Sequence, residues 1–112
     1  MMREDLLTKL ESKIYIFSVD VFSFVKTLAD RNISNPNTTA LTKTSNRLYT
    51  KFLDIFESAP GDLKKIVSEC REMASECAII LDKIEVEKKM LNERIDLLIE
   101  SKEILKQLDE IS

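Results

Sequence analysis

A chain of 112 residues with formal net charge -3, one glycine and two prolines lacks the turn residues that a β-rich fold of this length needs. Its 44% hydrophobic and 33% charged residues suffice for one packed core inside a solvated shell, so residues 1–112 are expected to form a single all-α domain. The absence of histidine removes hydrolytic triads and most metal sites, and a lone Gly61 cannot supply a glycine-rich phosphate loop; no enzyme activity, cofactor or small-molecule substrate is expected.

Leu6, Leu10, Ile14, Phe17, Val21, Phe24, Val25 and Leu28 follow three- and four-residue steps and predict a first helix over about 3–30. Its centre, "FSVDVFSFV", also alternates as a strand would, but the helical register runs through it and no turn signal flanks it. That stretch is apolar around most of its girth, which predicts burial on more than one side, by its own bundle and by a neighbouring subunit. "DRNISNPNTT", residues 30–39, is a loop broken by Asn32, Ser34, Asn35 and Pro36, with Thr38 or Thr39 expected to cap the second helix. That helix is predicted over about 39–59, closed by "APGD", and Asp62 is placed to cap a third over about 62–84.

Leu63, Ile66, Cys70, Met73, Cys77, Ile80 and Ile84 form a heptad seam. Met90, Leu91, Leu97, Leu98, Ile104, Leu105, Leu108 and Ile111 mark a fourth helix over about 88–111. Neither glycine nor proline separates these last two, and an unbroken helix over 62–111 would be ~75 Å long. The turn is therefore expected within "KIEVEKK", residues 83–89, with a continuous rod as the alternative. Short connections give an up-down-up-down antiparallel four-helix bundle. The apolar faces of helices one and four exceed what one bundle consumes, so a homo-oligomer is expected. The longest apolar stretch, "IYIFSVDVFSFV", is too short to span a bilayer, and "MMREDLLTKLESK" is no secretory signal; a cytoplasmic protein is expected.

Charge is uneven. Residues 1–30 carry four basic and five acidic groups, residues 31–61 four and two, and residues 62–112 nine and thirteen. The positive segment is Arg31 together with a row four residues apart on helix two, Lys43, Arg47 and Lys51. Such a row is a solvated helix face, or it contacts an anionic partner, RNA, DNA or an acidic protein surface. The acids Glu69, Glu72 and Glu76 are read as a solvated face. Cys70 and Cys77 lie ~10 Å apart on one helix, beyond disulfide reach, and are read as buried free thiols.

The helix-one stretch "IYIFSVDVFSFVKTL", the opening "LTKTSNR" of helix two, "ECAIIL" and "LNERIDLL" together resemble the bacterial four-helix-bundle proteins of the 23S ribosomal RNA intervening-sequence family, to which accessory proteins of diversity-generating retroelements are related. Tyr15, Phe17 and Leu28 match the family's aromatic first helix, and Leu41, Thr42 and Arg47 match the start of its second. Phe52 and Phe56 stand at the isoleucine positions of its third motif, where Ile55 and Ser58 replace the usual Asn and Glu. The resemblance implies a closed homo-oligomer, a pentamer, and an accessory role with nucleic acid or a reverse transcriptase. The acidic charge balance favours the alternative, a protein–protein interaction scaffold with no nucleic-acid role.

Overall fold

The computed structural model describes residues 2–32 and 35–111. Among them are α1 (Met2–Asp30), α2 (Pro36–Leu53), α3 (Leu63–Lys83) and α4 (Leu91–Ile111), with short 3-10 turns at Asp54–Phe56, Pro60–Asp62 and Lys88–Met90 and no strand. Each helix packs against its two neighbours in the order α1, α2, α3, α4 and back to α1, with no diagonal contact among the described residues. This is the expected antiparallel up-down-up-down bundle. Its long dimension, 46 Å, matches the ~43 Å rise of the 29-residue α1. No described helix is long and apolar enough to cross a membrane.

The core runs the whole length of the bundle: Leu10, Ile14, Phe17, Val21, Phe24 and Leu28 from α1 meet Leu41, Leu48 and Phe52 of α2 and Ile104 and Leu108 of α4. Within the α3 seam Ile66, Cys70, Cys77, Ile80 and Ile84 are buried, while Leu63 and Met73 are half-buried at its edge. Ser45 and Ser101 are also buried. Each hydroxyl donates back to a carbonyl of its own helix, Thr42 at 3.1 Å and Leu98 at 2.8 Å, so neither needs a partner across the core.

The connections differ from expectation in their details. α1 ends where Asn32 takes a left-handed conformation, φ 61°, which asparagine tolerates; Ser34 of the predicted loop lies outside the described residues. α2 starts at Pro36, not at 39, because Asn35 rather than Thr38 or Thr39 is the cap: its side-chain Oδ1 accepts from the Asn37 N–H at 2.8 Å. Proline in the first turn suits a helix start, where its missing N–H is unneeded. α2 also stops at Leu53 rather than 59. The chain tightens into 3-10 geometry and then extends at Ala59 (ψ 150°), the conformation that a following proline imposes. Asp62 precedes α3 as predicted, but its carboxylate makes no capping bond.

The α3–α4 joint falls within 83–89, which rules out the rod. It contains no glycine or proline; instead Ile84 (ψ 111°) and Glu87 (ψ 157°) are extended, with Ile84 buried and Val86 half-buried. An apolar–polar alternation, Ile84-Glu85-Val86-Glu87, suits a short extended strap lying on the core. Arg94 of α4 clamps it by donating to the Leu81 carbonyl at 3.1 Å and pairing with Asp82 at 3.8 Å. It thus adds a cationic donor to a carbonyl at the C-terminus of α3 that already accepts from the Ile84 N–H at 3.3 Å, where the helix dipole favours a cation. Arg94→Ala is expected to lower the unfolding free energy by about 1–2 kcal/mol, read from a urea titration, with Arg94→Lys intermediate.

Candidate interaction surfaces

Three of the four cations of the positive segment stand on α2 and Arg31 just beyond α1, but half of them are already neutralised. Lys51 lies against α3, with Nζ 2.9 Å from Glu69 and 3.8 Å from Asp54. The hydrogen bond to Glu69 raises the Lys51 pKa, and the same bond lowers that of Glu69. Glu69 is thus an ion-pair partner and not merely a wet acid. Arg31 sits beyond the end of α1, paired with Glu87 of the α3–α4 joint at 3.6 Å, away from the α2 row. Among the described residues only Lys43 and Arg47 of the four are exposed without an ion pair. Arg47 lines a shallow groove between α2 and α3 with Asn46, Thr50 and Met73, and the negative charge in that groove comes from Asp54 and Glu69.

Cys70 and Cys77 are free and buried, and burial pushes both thiols up to about 12. They are packing residues with negligible thiolate at neutral pH. No described group of acidic, His or Cys side chains is arranged to hold a metal ion.

The surplus apolar surface is the more prominent feature. On α1, Tyr15, Ile16, Val19 and Phe22 are 52%, 53%, 44% and 62% exposed on the side of the helix turned away from the core. Ser12, Ser18 and Ser23 are interspersed with them, and between Lys13 and Lys26 the sole charge is Asp20, which faces α4. Tyr15 leans on Tyr49 of α2, ring centroids 5.4 Å apart, which carries the surface towards the exposed Leu53 and Phe56. A second stripe, Leu91, Ile95 and Ile99, follows four-residue steps along the outside of α4. The wide apolar girth of the first helix predicted the first stripe; the aromatic link to α2 had no signal in the sequence.

The α1–α4 seam holds a feature that sequence reasoning missed. Asp20, Glu93, Asp96 and Glu100 surround a cleft of about 290 Å³ over Phe24 and Leu97. Burial, then a hydrogen bond with Asp20, pushes the Glu100 carboxyl up to about 7. Asp20 and Glu100 stand 80 positions apart in the chain, so no local motif could carry the signal. Comparison with known proteins finds no matching family model, no matching curated protein and no matching solved structure.

Proposed function

We propose that the chain is a non-catalytic, cytoplasmic assembly module whose outward α1 stripe is covered by further copies of itself, forming a homo-oligomeric scaffold. The observation that carries this reading is the uncharged run of Tyr15, Ile16, Val19 and Phe22 at roughly half exposure or more. Isolated exposed apolar side chains are ordinary, but a contiguous uncharged patch marks a contact surface. A second copy carries the same net charge of -3, so like chains approach most easily where charge is absent. The reading includes membership of the 23S ribosomal RNA intervening-sequence family and its pentamer as the expected closure. Multi-angle light scattering tests it: a mass that is a multiple of 12.9 kDa is expected, and a monodisperse monomer at micromolar concentration overturns it.

The unpaired Lys43 and Arg47, exposed on one face with Asn46 and Thr50, favour a second reading in which the assembled protein also contacts RNA, single-stranded DNA or a reverse transcriptase. Two cations per chain give weak, salt-sensitive contact, which repetition around an oligomer multiplies. Fluorescence anisotropy with a short RNA at low salt is expected to report binding that Arg47→Glu removes and Lys51→Glu, at an ion-paired site, reduces less. Equal loss in both variants, or no binding by the native protein, sets this reading aside.

A further inference from the structure

Among the described residues, none of the four carboxylates around the α1–α4 cleft has a cationic partner. On the α1 side the cleft presents Asp20 with the hydroxyls of Ser23 and Thr27; on the α4 side, Glu93, Asp96 and Glu100. Along the same seam Lys13 is engaged by Glu103 at 2.9 Å, and Glu103 adds further negative potential at Glu100. On the opposite, α3-facing side of α4, Arg94 and Asp109 are paired with Asp82 and Arg71. Lys88 and Lys89, in the turn before α4, are exposed and outside the cleft lining. Asp20 and Glu100 face this one cleft from α1 and α4. Like charges gathered in one half-buried cleft with no cation to offset them favour a proton on the carboxyl that burial raises, Glu100.

We propose that the α1–α4 seam is a proton-operated clasp: a proton held on Glu100 lets the carboxylates of the two helices share one cleft, and its loss on raising the pH sets the Glu100 charge against Asp20 across the seam. The folded state holds this proton up to about pH 7, whereas an unfolded glutamate has released it near its ordinary value of 4.5. The folded chain therefore binds more protons between these limits, so stability is greatest on the acid side and is lost as the pH rises through 7. The chain is suited to isolate the effect. It has no histidine, and burial holds both thiols far above this range, so neither of these usual sources of a charge change near neutrality contributes. The described carboxylates of the cleft are not arranged as a metal-holding group, which distinguishes the clasp from a cation site.

Thermal melting of the full chain followed by circular dichroism at constant ionic strength tests the clasp. The native midpoint is expected to be about 4 °C higher at pH 6 than at pH 8. Glu100→Gln, which is neutral at both values, is expected to show no such dependence. Asp20→Asn, which removes the facing charge, is expected to flatten the dependence as well. Carboxyl-carbon NMR of Glu100 in the native protein is expected to titrate near 7, independently of how any variant folds. A flat native profile, a slope that survives in Glu100→Gln, or a Glu100 midpoint in the ordinary carboxylate range overturns the proposal.

Discussion

Phe22→Asp is expected to leave the bundle folded and to abolish self-association. Phe22 is 62% exposed, so of the ~200 Å² that a phenylalanine presents about 120 Å² is open. At ~25 cal/mol per Å², covering it contributes about 3 kcal/mol per copy. Aspartate forfeits that term and would place an unpaired charge in the contact, so affinity should fall by a factor of about 100 or more. Light scattering should give the monomer mass while the helical circular dichroism is retained. Ile79→Asp is the matched control: Ile79 is 55% exposed but stands on the outside of α3, apart from the α1 stripe, and its replacement should leave the mass unchanged. An unaltered oligomer in Phe22→Asp would mean that copies meet elsewhere.

Phe17→Ala should produce the opposite pair of readouts. Phe17 lies five positions before Phe22 on the same helix, fully buried between the facing helices. Its truncation leaves a cavity of phenyl size in a core whose other members on α1, Ile14 and Val21, are themselves fully buried. Such a change costs about 3–5 kcal/mol, a large part of the ~5–15 kcal/mol that holds a small domain together. The urea midpoint should drop sharply, with the slope of the transition retained. A loss below about 1 kcal/mol would mean that the core does not close around this ring.

What could be read in advance was what repeats along the chain. The apolar periods of α1 and α3 recur turn after turn, so those helices and their buried faces were legible, as was the outward surplus on α1. What could not be read were events decided by single geometries. Asn35 outcompeted two threonines as the α2 cap because its side chain reaches the Asn37 N–H with Pro36 already preset for a helix. Lys51 counted as part of a cationic surface until α3 brought Glu69 to 2.9 Å. Asp20 and Glu100 belong to opposite ends of the chain, and only the closing of α4 onto α1 brings them to one cleft.

The bend between α3 and α4 should not outlive removal of the first two helices. It is written in no breaker residue: Ile84 turns aside because the core receives it, and Arg94 holds the end of α3 from across the gap. The first instruction comes from the assembled bundle, and the second is one side chain's contact within α3 and α4. A fragment spanning 62–111 and deprived of α1 and α2 keeps the Arg94 contact but loses the core that receives Ile84, and its helix formers favour running on as one straight rod.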